Sequence, residues 1–302
     1  MKLGEENAQN VGPSGIEVAY ERFGDPEAPP VLLIMGGAAQ MINWPEGFCF
    51  ELVDRGMHVI RFDNRDAGRS THFPDAPEPD LPAAMAGDVS SASYTLSDMA
   101  ADTVGLLDVL GFDSAHLVGL SLGGMIAQTI TIEYPGRVRS LTSMMSTTGD
   151  RAVGQPDFSA IGPLGAPPRD RQGFIDWQVR AIRAVGSPGF EFDEVAVADR
   201  AGRCYDRDRD PLGMARQAVA ALASGDRTAR LRSLRVPTLV IHGADDVMCH
   251  VSGGRATADA IPNAKLVITD GLGHSLPWQL WPEFATHIAG LVHRAEANMV
   301  TP

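Results

Sequence analysis

The chain has 302 residues, of which 44% are hydrophobic and 21% are charged, so it can bury the core of a globular protein. Its formal net charge of −13 disfavours nucleic acid and anionic membrane surfaces as partners. No stretch approaches the roughly 18 apolar residues that span a bilayer, and the N-terminus lacks the apolar centre of a secretory signal. We therefore expect a cytoplasmic protein that binds neither nucleic acid nor membranes.

The three cysteines, Cys49, Cys204 and Cys249, are odd in number and lie far apart in the sequence. Their spacing matches neither a zinc site nor a disulfide framework. We expect free thiols, as in a reducing compartment.

The first half of the chain alternates predicted strands with predicted helices. Residues 16–23 alternate apolar and polar side chains, as in an edge strand, whereas residues 30–35 form a continuous apolar run, as in a strand covered on both faces. Residues 72–93 are rich in Pro, Ala and Asp and predict an exposed loop. The other predicted strands are 57–62, 116–118 and 138–145, and the predicted helices are 45–54, 96–110 and 125–134. This order indicates the connections of a parallel sheet.

The alternation breaks in the middle of the chain, where no convincing strand occurs and several Pro and Gly appear. Helices are predicted at 170–184 and 214–223. The charged run at 206–210 predicts a solvated face. We expect a mostly helical insertion between two parts of one core. The predicted division is core, insertion and core, at 1–147, 148–230 and 231–302.

Strands and helices alternate again in the last part of the chain. The predicted elements are a strand at 236–242, a helix at 251–261, a strand at 264–269 and a helix at 282–293. The whole pattern predicts an α/β fold with a mostly parallel central sheet and helices on both faces.

Residues 119–123, Gly-Leu-Ser-Leu-Gly, join the predicted strand at 116–118 to the predicted helix at 125–134. A nucleophile elbow needs glycines at these flanking positions, because side chains there would collide with the neighbouring strand and helix. The helix also directs its N-terminal N–H groups toward Ser121. The alternative is an ordinary glycine-rich turn in which Ser121 caps the helix. The companion residues favour Ser121 as a nucleophile.

A serine hydroxyl needs a base within hydrogen-bond reach and a third group that orients this base. In proteins with a nucleophile elbow the chain order is Ser, then Asp, then His. Asp246 follows a predicted strand, and His274 lies in a glycine-flanked loop before the last helix. We predict Asp246 and His274 as the acid and the base of a catalytic triad. Asp245 is a rival for the acid, and His72 is a weaker rival for the base.

Acyl transfer also needs two N–H donors where the carbonyl oxygen becomes negative. The N–H of Leu122 directly follows the nucleophile. The turn Gly36-Gly37-Ala38 follows the strand at 30–35 and carries no bulky side chain. We predict the N–H of Gly37 as the second donor, although a tight turn alone explains the same glycines.

These motifs resemble those of the α/β-hydrolases, and the resemblance covers about residues 15–295. The matching stretches, besides the one around Ser121, are 63–70 (Asp-Asn-Arg-Asp-Ala-Gly-Arg-Ser), 241–246 (Ile-His-Gly-Ala-Asp-Asp) and 271–274 (Gly-Leu-Gly-His). The resemblance implies an α/β-hydrolase fold in which the helical insertion at 148–230 is a cap. It implies no metal and no organic cofactor.

Within that superfamily the chain most resembles the aclacinomycin methylesterase group of actinomycete polyketide tailoring enzymes. The shared features are Ile-Met-Gly-Gly at 34–37, ahead of Asn-Trp-Pro at 43–45, and the Asn-Arg-Asp form of the motif at 63–70. Met35 replaces a histidine that relatives often carry before this glycine. Because the oxyanion donor is a backbone N–H, this difference leaves the predicted role of Gly37 intact.

We therefore expect a serine esterase that acts on a small to medium, largely apolar ester. Ser121 attacks, His274 transfers the proton, Asp246 orients His274, and the N–H groups of Gly37 and Leu122 bind the oxyanion. The resemblance implies a methyl ester of an aromatic polyketide. A lactone, an amide or an N-terminal proline peptide is an alternative substrate, and a non-catalytic binding protein is an alternative function. The sequence does not fix the oligomeric state.

Overall fold

The computed structural model describes residues 2–37, 39–208 and 210–300. Ala38 of the predicted turn and Arg209 of the charged run lie outside these ranges, as do Met1 and residues 301–302 at the ends of the predicted core segments. The described strands are β1 (Glu6–Val11), β2 (Ile16–Phe23), β3 (Pro30–Ile34), β4 (His58–Phe62), β5 (Ala115–Leu120), β6 (Val138–Met144), β7 (Thr238–Gly243) and β8 (Lys265–Thr269). The described helices are α1 (Glu46–Val53), α2 (Leu81–Ala86), α3 (Leu96–Leu110), α4 (Leu122–Glu133), α5 (Phe158–Ile161), α6 (Arg171–Val185), α7 (Glu194–Arg207), α8 (Gly213–Ser224), α9 (Thr228–Leu231), α10 (Ser252–Ala260) and α11 (Trp281–Val300).

The described strands form one sheet in the order β1-β2-β4-β3-β5-β6-β7-β8. Every neighbouring pair from β4 to β8 is parallel. The strand β2 pairs antiparallel with both β1 and β4. The prediction of an α/β fold with a mostly parallel central sheet is therefore confirmed.

Helices cover both faces of the sheet because its central strands are apolar on both sides. On β3, Leu32 and Ile34 pack with residues of α3 and α4, while Val31 and Leu33 pack with residues of α1 and α11. All four side chains are fully buried. A strand covered on both faces needs such a continuous apolar run. As far as the described residues extend, no helix is both long and apolar enough to cross a membrane.

The expectation that residues 16–23 form an edge strand is wrong. The strand β1 pairs with β2 and occupies the edge of the sheet. Its sequence is mostly polar, and only Ala8 and Val11 are buried. Asn10 has φ 56°, and the pairing register shifts between Ala8 and Val11. This irregularity breaks the alternation by which a strand is recognised in a sequence.

The expectation of an exposed loop at 72–93 is wrong for residues 81–86, which form α2. The side chain of Asp80 accepts a hydrogen bond from the N–H of Ala83, and Pro82 lies in the first turn. The helix ends at Gly87, which has φ 108°. An acidic cap, an early proline and a terminal glycine are the usual signals of a helix, but two turns are too short to show apolar periodicity.

The helical insertion, by which we mean residues 148–230, contains helices and turns but no strand among its described residues. It lies over the carboxyl end of β4. Here α8 buries Arg216, whose guanidinium binds the carboxylate of Asp66 through two contacts of 2.8 Å. The insertion therefore covers the sheet edge at which an α/β fold places its ligands.

The expectation that the charged run at 206–210 is a solvated face is wrong for Arg207 and Asp210, whereas Asp206 is exposed. Arg207 pairs with Asp63, and the Arg207 side chain is only 8% exposed. Asp210 pairs with the buried Arg216. Arg207 on Asp63 and Arg216 on Asp66 attach the helical insertion to the segment that follows β4, and Asp210 supports Arg216 from within the insertion. The sequence did not reveal the pairing of Arg207 with Asp63, because more than a hundred residues separate the two.

Candidate active site

Ser121 lies in the turn between β5 and α4. Its backbone has φ 56° and ψ −120°, a conformation that a residue other than glycine adopts only at an energetic cost. Ser121 is the N-cap residue of α4, and the structure describes every residue of this helix. The Ser121 side chain makes no capping hydrogen bond. Ser121 therefore occupies the N-cap position without capping the helix through its side chain. Among the residues that the structure describes, its hydroxyl has no hydrogen-bond partner and is available for other chemistry.

The glycines around Ser121 are required by close backbone contacts. A Cβ atom on Gly119 would lie 2.1 Å from the carbonyl oxygen of Gly123. A Cβ atom on Gly123 would lie 2.0 Å from the carbonyl oxygen of Ile34. Real side chains do not tolerate such contacts, so β3, β5 and α4 can approach this closely only because glycine occupies both positions.

The structure brings Asp246 and His274 into direct contact. The Nδ1 atom of His274 lies 2.7 Å from Oδ2 of Asp246. Asp246 follows β7, and His274 follows β8, which is the neighbouring strand. Ser121 follows β5 at the same carboxyl edge of the sheet. No hydrogen bond joins the Ser121 hydroxyl to the His274 ring in the described chain, and such bonds commonly tighten only when substrate binds.

The carboxylate of Asp246 is buried and fully hydrogen-bonded. Its Oδ1 atom accepts the N–H groups of Met248 and Cys249 at 2.9 and 2.8 Å. Burial raises the pKa of Asp246, but the hydrogen bonds from His242 and His274 outweigh it and hold the pKa well below its ordinary value. Asp246 is therefore a carboxylate that can fix the Nδ1–H tautomer of His274 and stabilise a positive charge on its ring.

The two rival residues have other partners. Asp245 accepts the N–H of Gly271 at 2.7 Å and so supports the loop that carries His274. His72 contacts the carbonyl oxygen of Gly68 and the carboxylate of Asp210, each at 3.1 Å. Among the described contacts, Asp245 does not bind His274 and His72 does not bind Asp246. The geometry therefore favours Asp246 and His274 as the acid and the base.

The predicted oxyanion donors lie where the turn after β3 meets the start of α4. A Cβ atom on Gly36 would lie 3.2 Å from Cβ of Ser121, and one on Gly37 would lie 3.5 Å from the Leu122 side chain. Within the described residues, the N–H groups of Gly37 and Leu122 have no hydrogen-bond acceptor. Two unused donors thus flank the serine, as the binding of an oxyanion requires.

This arrangement can be compared with known proteins. A sequence model of the alpha/beta hydrolase fold matches residues 29–279. The chain belongs to this family.

Relatives of this alpha/beta hydrolase include named esterases. Rhodomycin D methylesterase DnrP from Streptomyces peucetius is 29% identical, with 85% of this chain and 88% of the relative covered. The bifunctional esterase/perhydrolase DCH from Acinetobacter calcoaceticus is 24% identical, with 87% and 91% covered. Among solved structures, esterase RhEst1 from Rhodococcus sp. ECU1013 superposes with a TM-score of 0.72 at 24% identity, over 96% of this chain and all of that one.

The turn after β3, which carries the predicted oxyanion donor Gly37, is held by residues whose contacts the sequence did not reveal. The Oδ1 atom of Asp63 accepts the N–H of Met41 at 2.6 Å, and the side-chain amide of Asn64 donates to the carbonyl oxygen of Met35 at 3.0 Å. The motif at 63–70 thus fixes both ends of the turn. Its residue types were visible in the sequence, but their partners were not.

Gln217 of α8 is a second residue that the sequence did not single out. It is fully buried, and its amide donates to the carbonyl oxygen of Arg65 at 2.8 Å. Its Oε1 atom would lie 3.9 Å from a Cβ atom on Gly37. The helical insertion therefore reaches the turn that carries Gly37. No local pattern distinguishes such a glutamine from one on a solvated helix face.

The hydrolase also contains a cluster of possible metal ligands, Asp66, His72 and Asp210, whose ligand atoms lie within 4.8 Å of one another. The guanidinium of Arg216 binds both carboxylates of this cluster. A cation thus already neutralises these acids, and we interpret the cluster as part of the attachment of the helical insertion to the core.

Proposed function

We propose that this alpha/beta hydrolase is a serine esterase that cleaves carboxylic esters through an acyl-enzyme. One observation carries the proposal. Ser121 occupies a strained turn at the sheet edge where His274 and the ionised Asp246 form a pair, and within the described residues its hydroxyl makes no hydrogen bond. A protein that only binds a ligand has no need of this combination, so the geometry favours an enzyme over a non-catalytic binding module.

The proposed reaction proceeds in two halves. His274 uses Nε2 as the base, because its Nδ1 is engaged by Asp246. The hydroxyl proton of Ser121 passes to Nε2 as the oxygen attacks the ester carbonyl, and the N–H groups of Gly37 and Leu122 stabilise the resulting oxyanion. His274 then donates this proton to the departing alcohol. Water, activated by the same ring, releases the acid and restores Ser121.

A methyl ester of an aromatic polyketide is the substrate that we favour. Support comes from the two rhodomycin D methylesterases among the relatives, at 28–29% identity. Lactones, amides and N-terminal proline peptides remain the alternative substrates. The helical insertion would act as the cap over this substrate, between the core segments 1–147 and 231–302. A cytoplasmic location and the lack of nucleic-acid partners stay predictions.

The proposal is tested by initial rates on a panel of substrates. The panel contains p-nitrophenyl acyl esters, aromatic methyl esters, lactones and anilides, and it is assayed with wild type and Ser121→Ala. We expect ester turnover that Ser121→Ala lacks while it keeps the wild-type circular dichroism spectrum. Equal turnover in the two folded proteins would overturn the proposal, and turnover of anilides or lactones alone would replace the ester by that substrate class.

A further inference from the structure

His274 lies in the loop at 271–275, which is held from two sides. On the core side, Asp245 donates its N–H to the carbonyl oxygen of Leu272 at 3.0 Å and accepts the N–H of Gly271. On the opposite side lie residues 185–190 of the helical insertion, which we call the clamp segment. It comprises the last residue of α6 and the five residues that follow.

The clamp segment binds the backbone of this loop. The N–H of His274 donates to the carbonyl oxygen of Val185 at 2.7 Å. The N–H of Gly189 donates to the carbonyl oxygen of Gly271 at 2.9 Å. The helical insertion therefore holds the main chain at His274 itself, whereas the core holds that main chain at Gly271 and Leu272 and binds the His274 ring through Asp246.

Ser187 is the side chain of the clamp segment that reaches both flanks of His274. Its hydroxyl oxygen accepts the N–H of Gly273 at 3.1 Å and lies 2.7 Å from the hydroxyl oxygen of Ser275. Because the Ser187 oxygen is the acceptor in the first bond, its own hydrogen is free to be donated to Ser275. One hydroxyl thus joins the residue before His274 to the residue after it.

The contact between the two segments leaves little room for adjustment. A Cβ atom on Gly273 would lie 1.9 Å from the carbonyl oxygen of Gly186. A Cβ atom on Gly271, which has φ 73°, would lie 2.7 Å from Cα of Gly189. The two backbones are in direct contact, so a displacement of the clamp segment has to displace the loop.

We propose that Ser187 is a positioning residue that acts through His274 and links the helical insertion to the base. The inference rests on the proposed function, because it requires His274 to be the base. Asp246 fixes the orientation of the His274 ring through the hydrogen bond to Nδ1, and Ser187 fixes the position of this ring relative to Ser121. A misplacement of about 1 Å in such a group lowers a rate by about 100-fold.

Four variants test this role by steady-state kinetics on a p-nitrophenyl ester at 25 °C, with thermal unfolding measured on each protein. Ser187→Ala removes both hydrogen bonds, Ser275→Ala removes one, and Ser187→Thr keeps the hydroxyl. Ser159→Ala is the matched control, because the described side-chain contacts of this exposed serine of the insertion are to Asp157.

We expect Ser187→Ala to lower kcat about tenfold and to change KM less than twofold, because the base is displaced while the substrate site is kept. Ser275→Ala should lose less kcat than Ser187→Ala, Ser187→Thr should keep at least half of wild-type kcat, and Ser159→Ala should match wild type.

Wild-type kcat in Ser187→Ala would overturn the positioning role. An equal loss of kcat in Ser187→Ala and Ser187→Thr would overturn it as well. Should Ser187→Ala fail to fold, an unchanged kcat in Ser275→Ala would overturn it. Absence of turnover in wild type would instead overturn the proposed function.

Discussion

His274 and Asp246 lie on loops that follow two neighbouring strands, and their side chains meet at 2.7 Å between Nδ1 and Oδ2. Asp246 is only 3% exposed, and its other carboxylate oxygen accepts two backbone N–H groups. It is therefore held in one position and kept ionised. The bond to His274 is consequently charge-assisted, which makes it shorter and stronger than a neutral one.

Replacing Asp246 by asparagine should lower kcat by roughly 10⁴-fold while the fold persists. The amide removes the negative charge that favours the Nδ1–H tautomer of His274 and stabilises its protonated ring. Asp245→Asn is the matched control, since an amide oxygen can still accept the N–H of Gly271. Ester hydrolysis by both variants checks the prediction. An equal loss in the two would contradict the choice of Asp246 as the acid.

Gly123→Ala should destabilise the protein by at least about 2 kcal/mol or prevent folding, because the new Cβ atom meets the carbonyl oxygen of Ile34 at 2.0 Å. Gly136→Ala is the control. A Cβ atom there has no neighbour within 4 Å, and the backbone needs no positive φ. Urea unfolding compares the two with wild type. Similar free energies of unfolding for both variants would contradict the close approach at the elbow.

Arg216→Met should lower the free energy of unfolding by about 3–5 kcal/mol, because it leaves the carboxylate of Asp66 buried without its partner. The Arg216 side chain is 1% exposed. Arg230, which is 51% exposed and pairs with Glu133, provides the control, and its substitution by methionine should have little effect. Urea unfolding of both variants tests the claim that buried ion pairs attach the helical insertion to the core.

His72 should make the attachment of the helical insertion to the core dependent on pH. Burial lowers the pKa of His72, but the hydrogen bond to Gly68 and the carboxylates of Asp208 and Asp210 outweigh it and raise the pKa above its ordinary value. The protonated ring therefore stabilises the folded state fully below the unfolded pKa of about 6.5, and this contribution is lost as the pH rises through the folded pKa.

The measurement is the free energy of unfolding of wild type and His72→Gln between pH 5.5 and 8.5. The advantage of wild type should be largest at the acidic end and should shrink as the pH rises. The exposed His250, substituted in the same way, serves as the control. A wild-type advantage that stays constant, or grows toward pH 8.5, would contradict the proposed charge on His72.

The parts of the fold that the sequence predicted are those with strong local patterns. The helix α3 was predicted within its observed bounds, because its apolar periodicity spans four turns and Gly111 ends it. The continuous apolar run at 30–35 likewise predicted β3 as a strand that is covered on both faces, because such a run is also a local pattern. The tight turn between β5 and α4 was also predicted, because the glycines at 119 and 123 are the residues that its close backbone contacts require. The family is confirmed, while the catalytic roles of Ser121, Asp246 and His274 stay predictions.

What the sequence left out depends on contacts between distant residues. The mostly polar residues 6–11 form a strand by pairing with β2, which is a contact between separate segments of the chain. The charged residues Arg207 and Arg216 look solvated until the fold places them on Asp63 and Asp66. The same holds for Ser187, whose role depends on a loop almost ninety positions further along the chain. Local patterns carry no record of such partners.

The most direct test of the central claim, that Ser121 is a nucleophile activated by His274, is covalent labelling with a fluorophosphonate followed by peptide mass spectrometry. The account predicts one label per chain, on Ser121, in wild type. It also predicts no label in Ser121→Ala and labelling at least about 100-fold slower in His274→Ala. Labelling of a different residue, or undiminished labelling in folded His274→Ala, would contradict it.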